Sequence, residues 1–173
     1  MNENDFEMIK STIEQKVNKK VLGFKKLYQA TIDGEESSIF HSKCDGIKNT
    51  ITLIKSARNR RFGGFTSESW DTSLTYKSDN TCFLFSLDKH KIYPLKENFQ
   101  AIVSYKGFGP VFGNDYCNDL QLGNNPISNR ALYTNESSKS CSFNYYGDNN
   151  ALSEDGKGSY IKAIDYEIFE IKF

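Results

Sequence analysis

From Leu27 onward the apolar residues come in short runs, and nearly every run is closed by a turn signal. LYQATIDG (Leu27–Gly34), IFHSKCDG (Ile39–Gly46), ITLIKS (Ile51–Ser56), RFGGFTSESW (Arg61–Trp70) and FLFSL (Phe83–Leu87) follow one another. Short β-branched and aromatic runs between tight turns build antiparallel sheets. There is no βαβ alternation, which would require a parallel sheet, and no internal repeat. The pattern predicts a mainly β, α+β fold: a two-sheet antiparallel β-sandwich flanked by short helices. The 173 residues suit one domain, and 13 Phe and 10 Tyr supply a sheet interior.

The N-terminus is the exception to the strand pattern. Phe6, Ile9, Ile13 and Val17 recur at three- and four-residue steps, which predicts an amphipathic helix over 5–19. Residues 1–22 are therefore expected to pack as a helix on a domain formed by 23–173. Phe24–Thr31 reads as a strand, Asp33-Gly34 as a turn, and Glu35–Lys43 as a short helix with Ile39 and Phe40 inward. Ile51–Ile54 and Arg61–Thr66 read as a hairpin. Gly63-Gly64 inside its second strand marks a bulge or the close approach of a backbone or large ring, with Trp70 as the expected cover. Thr81–Leu87 reads as a central strand, and His90–Leu95 and Asn98–Tyr105 as shorter ones. Gly107–Gly113 reads as a structured turn. Residues 123–158 are polar, with strand fragments at Leu132–Tyr133 and Phe143–Tyr146. In Ser159–Phe173 the apolar parity changes near Ile168–Phe169, which implies a bulge there or burial of both faces.

Little in the chain carries chemistry. Lys plus Arg equals Asp plus Glu at 22 each, which argues against a dedicated nucleic-acid binder. Lys55, Arg58, Arg60 and Arg61 make one basic patch at the hairpin end, read as a solvated turn or as a partner contact. No apolar run reaches the ~20 residues of a membrane span, and the N-terminus does not read as a secretory signal. That reading places the chain in the cytoplasm, where Cys44, Cys82, Cys117 and Cys141 are expected as four free thiols. His41 and Cys44 share a helix face, but a packed Cys beside a surface His is the plainer reading. Asp115 and Asp119 sit among Asn and Gly and read as a polar loop. Walker, GxGxxG, GxSxG, HExxH and calcium-loop spacings are absent, so no metal, cofactor or catalytic residue is assigned and a small-molecule ligand is not expected. Peroxide chemistry at Cys44 or Cys117, and glycan binding by the polar loops, stand as minor alternatives.

Taken in order, LYQATIDG, FHSKCDG, TLIKS, FGGFTSESW, YKSDNTCFLFSL, GFGPVFG and IDYEIF resemble the TLDc domain, over about residues 24–171. Gly34, Gly63, Gly64, Trp70, Gly109, Pro110, Gly113, Glu167 and Phe169 fall on family-typical positions, most with a structural role. The resemblance implies a two-sheet sandwich with no established catalytic residue. It also implies a protein-interaction domain that binds the cytosolic peripheral part of the V-type proton ATPase and alters its assembly or activity. Other members are linked to protection from oxidative damage. The alternative is a permanent structural subunit of another large assembly, ciliary, microtubule-associated or organellar. The expected location is cytoplasmic, reaching an organelle membrane or cilium only through the partner. Residues 123–158 depart from the family pattern, and that puts partner choice in doubt.

Overall fold

The computed structural model describes residues 3–114, 117–136, 141–148, 150–153 and 159–173. Among them the chain forms α1 (Glu3–Val17), β1 (Gly23–Gln29), α2 (Ala30–Asp33), α3 (Ser37–Cys44), β2 (Thr50–Ser56), β3 (Arg61–Thr66), β4 (Thr75–Lys77) and β5 (Phe83–Ser86). It continues as β6 (Lys91–Pro94), β7 (Ile102–Ser104), β8 (Val111–Asn114), β9 (Cys117–Leu122), β10 (Leu132–Thr134), β11 (Ser159–Ile161) and β12 (Ala163–Lys172). The strands make two six-stranded sheets, ordered β1-β12-β2-β3-β5-β6 and β11-β10-β9-β8-β7-β4. Every ladder is antiparallel, as the run-and-turn pattern requires.

Strand alternation divides the apolar residues between the faces. Tyr28, Ile54, Phe62, Leu84, Tyr93, Tyr166 and Ile168 from the first sheet meet Ile102, Phe112, Leu120, Leu122 and Leu132 from the second in one buried core. Trp70 sits in that core. Its Nε1–H donates to Thr50 Oγ1 at 3.0 Å, and its ring meets Phe112 edge-on at 5.6 Å and Phe40 at 6.0 Å.

The glycine pair in β3 makes no bulge, since Thr52↔Gly64 and Leu53↔Gly63 keep unbroken register with β2. Rings occupy the missing side-chain space instead. A Cβ on Gly64 would lie 2.6 Å from the Phe112 ring and 2.8 Å from Leu84; one on Gly63 would strike the Thr52 carbonyl and lie 2.9 Å from Phe85. Phe85 and Phe112 are therefore the covers, and Trp70 is one ring further out, against Phe112.

The first sheet is buried on its other face too. There Ile9 and Ile13 of α1 pack on Ile51, Phe65, Phe83, Phe85 and Ile171, with Phe169 and Phe173 partly buried at the margin. Phe6 lies 4.8 Å from Phe24, and Arg61 donates to the buried Asp5 at 2.9 Å and to Asp88 at 3.1 Å. This double burial explains the parity change in β12: Tyr166 and Ile168 face the sandwich, and Phe169, Ile171 and Phe173 face α1. An irregularity does fall opposite Ile168–Phe169, but the extra residue is Leu27 of β1. A second register shift falls at Ile164, between Ala163 and Asp165. β1 is shorter than expected because Ala30–Asp33 winds into a helical turn, where Asp33 accepts the Gln29 N–H at 2.8 Å.

The largest departure from expectation lies in β9, where a polar loop was expected. Asp119 is wholly buried there; Asp115, its expected companion, lies outside the described residues, as does Asp155-Gly156. Asp119 accepts the Ser142 N–H at 2.9 Å, the Phe143 N–H at 3.2 Å and the Tyr145 hydroxyl at 3.0 Å. Ser142 O in turn receives Lys96 N–H, and Asn144 N–H reaches Pro94 O, both at 2.9 Å, so the segment extends the first sheet past β6. Asp119 on the second sheet thus fastens a segment that makes a single antiparallel bridge, Leu95↔Phe143, at the edge of the first. Cys117 and Cys141 form a disulfide across the same junction, which corrects the expectation of four free thiols; Cys44 and Cys82 remain free and buried. From β10, the buried Glu136 accepts the Leu152 N–H at 3.0 Å and the Ser153 N–H at 3.1 Å. Asp79 closes the β3–β5 loop by accepting from Thr66, Ser67 and Thr81.

Two predictions follow from this packing. Gly64→Ala drives a methyl group into the Phe112 ring, and denaturant unfolding should register a loss of about 1–3 kcal/mol or more. The second concerns pH. Burial pushes the Asp119 and Glu136 carboxyls up to about 7, against the backbone N–H donors, and at Asp119 also the Tyr145 hydroxyl, that pull them back. Folded forms then hold protons that the unfolded chain releases near pH ~4, so this stability is present below pH ~4 and is lost as pH rises toward about 7. At Asp79 burial opposes the charge but the Thr81, Ser67 and Thr66 donors outweigh it and hold the carboxyl low, so its contribution is lost as pH falls instead. The thermal midpoint should decline between pH 5 and pH 8. Glu136→Gln, which keeps the acceptor oxygen without the charge, should flatten that decline.

Candidate interaction surface

The outer face of the first sheet is only partly covered by α1. On this face the register sets Glu167 beside Leu53, and Asp165, Lys55 and Arg61 in one row. These residues line a groove of about 190 Å³, with Leu53 and Leu87 as its apolar part and Lys55, Arg61, Asp165 and Glu167 around it. Three of the four charges are engaged within the domain. Glu167 pairs with Lys26; Asp165 accepts from Gln29 Nε2 at 2.7 Å and from Thr31 Oγ1 at 2.9 Å; Arg61 bridges Asp5 and Asp88. Lys55 is exposed and has no ion-pair partner among the described residues.

The other sequence-derived positions sit mainly in the frame. Gly34 takes a φ of 112°, and a Cβ there would meet Ile39 at 2.5 Å. Gly109 N–H donates to Leu122 O at 2.7 Å and Leu122 N–H to Pro110 O at 3.0 Å, which joins the glycine turn to β9. Gly113 takes a φ of 136° beside the β8–β9 register shift, where a Cβ would meet the β9 backbone. Trp70 is buried between the sheets, and Phe169 lies at the edge of the helix-covered cluster. Glu167 alone of this set stands on the groove wall. Of the basic patch, Lys55 and Arg61 line the groove; Arg58 and Arg60 lie in the turn that joins their strands.

The groups with chemical potential are spent on the fold. His41, expected at the surface, is 8% exposed. Its Nδ1 lies 2.7 Å from Asp45 Oδ1, and its Nε2 lies 3.1 and 3.0 Å from the Tyr105 and Phe108 carbonyls, so it clamps α3 to the 105–108 turn. Cys44 is buried; burial pushes its thiol up to about 12, which disfavours the thiolate that peroxide chemistry requires. Cys117, Asp119 and Cys141 bring donor atoms within 4.8 Å of one another. There the sulfurs are joined and the carboxylate already takes three hydrogen bonds. Sequence reasoning missed the burial of His41 and Asp119 because the Tyr105 and Phe108 carbonyls and the 142–145 donors lie far along the chain.

The family model described as the TLDc domain matches residues 1–172. The chain belongs to the TLDc family. This TLDc domain is also similar to the mTOR-associated protein MEAK7 of Danio rerio, 33% identical over 61 residues, covering 35% of the chain and 14% of that protein. MEAK7 of Gallus gallus is 29% identical over 106 residues, covering 60% of the chain and 19% of that protein. The TLDc chain thus spans less than a fifth of the matched relatives' length. Among the described residues no helix is long and apolar enough to cross a membrane.

Arg61 links this surface to the helix beside it. Arg61→Ala should destabilise the domain by about 1–2 kcal/mol, a figure reduced for the partial exposure of the guanidinium. Hydrogen exchange should show the added opening in residues 3–17; unchanged protection there would contradict the role given to the Asp5–Arg61 pair.

Proposed function

We propose that this TLDc domain is a non-catalytic interaction module that docks on the cytosolic peripheral part of the V-type proton ATPase and biases its assembly. The observation that carries this reading is the uncovered face beside α1, where an apolar groove adjoins the hairpin end bearing Lys55, Arg58, Arg60 and Arg61. Family membership supports it, as does the use of His41, Cys44, Asp119 and the disulfide in packing. A domain that binds one assembly state of the pump more tightly shifts the equilibrium by that difference in affinity. Such a domain works in the cytoplasm and reaches an organelle membrane or cilium through its partner. Any protection from oxidative damage would run through the partner, since Cys44 disfavours thiolate formation.

The mTOR association of the MEAK7 relatives favours a second reading, in which the partner belongs to an mTOR-associated assembly. The test is retention of the purified chain by the isolated cytosolic sector of the pump, with an mTOR-containing complex as the parallel bait. Retention by the pump sector, weakened several-fold by the double charge reversal Lys55→Glu/Arg58→Glu, is expected. Retention by the other bait alone would replace the first reading with the second.

A further inference from the structure

We propose that the groove beside α1 is the seat for one bulky apolar side chain from an acidic segment of a partner protein. This rests on the reading of the domain as an interaction module and adds the face used and the chemistry recognised. The groove lies on the outer face of β12, β2 and β3, where Glu167 stands opposite Leu53 and Asp165 opposite Lys55. It holds about 190 Å³, with Leu53 and Leu87 in its wall. Small-molecule sites run to roughly 300–1,000 Å³, so this volume suits a single side chain better than a metabolite.

Charge defines the rest of the occupant. Lys55 is exposed at the end of β2 and lines the groove. Asp165, Glu167 and Arg61 are already engaged by neighbours in the domain, which leaves Lys55 at the rim as the cation offered outward. An anchor flanked by Asp or Glu complements that arrangement. Asp165 and Glu167 on the groove wall would oppose a uniformly anionic bilayer or a phosphate backbone. A peptide can place its carboxylates at Lys55 alone, so a protein segment is favoured.

The test uses the full chain, labelled with nitrogen-15. It is titrated with a synthetic acidic peptide that carries one central Phe between Glu residues, with the same peptide bearing Ala for Phe, and with vesicles of phosphatidylcholine and phosphatidylserine. The Phe peptide should shift the amides of Leu53, Lys55 and Leu87. The Ala peptide should bind at least about tenfold more weakly. Lys55→Glu should weaken the Phe peptide about fivefold while leaving the thermal midpoint unchanged. Equal binding of the two peptides, or shifts confined to other surfaces, would overturn the proposal; so would vesicle binding that depends on Lys55 without any peptide response. Pump retention is scored separately. Groove binding without pump retention sinks the pump reading alone, and pump retention undisturbed by saturating Phe peptide sinks this inference alone.

Discussion

The contact between Gly64 and the Phe112 ring sets the spacing of the two sheets. A side chain on Gly64 would hold Phe112 off, and Phe112 carries Trp70 against its edge. Trp70 in turn reaches Thr50 on the first sheet and Phe40 on α3. One absent Cβ therefore admits a chain of rings that joins both sheets and a helix. Its neighbour Gly63 acts on the opposite face, where the Phe85 ring leans over it under α1. Successive residues of a strand point to opposite sides, so adjacent glycines serve two packing layers at once.

Where the core closes at its end, polar groups take over. Asp119 and Glu136 carry no ion pair among the described residues; each is held by backbone N–H groups of the 141–153 segment. Buried carboxyls of this kind specify a position more than they add stability, because desolvation offsets much of the hydrogen bonding. The Cys117–Cys141 bond holds the same junction covalently across 24 residues. On the outer face beside α1, apolar surface and the exposed Lys55 lie together.

Much of the frame was legible in the sequence. TLIKS and FGGFT form the expected hairpin; of the bulge or close approach that the glycine pair signals, the close approach is found, from Phe85 and Phe112 instead of Trp70. Of the two readings of the split parity in β12, burial of both faces is found, with the irregularity in β1. The misses share one cause. Asp119 beside Asn118 looks like a loop residue because local composition cannot reveal donors that arrive from residues 142, 143 and 145. The disulfide, and the Tyr105 and Phe108 carbonyls that engage His41, are likewise properties of distant pairings. Of the surface, the sequence showed the basic hairpin but not the groove, whose wall is assembled from β2, β3, β12 and Leu87 only once the strands pair.

The central claim is that this face meets another protein. Hydrogen exchange of the chain alone and in complex with the pump's cytosolic sector reads it directly. New protection is expected in residues 53–61 and 163–167. Protection confined to the second sheet, or none in a complex shown to be intact, would contradict it.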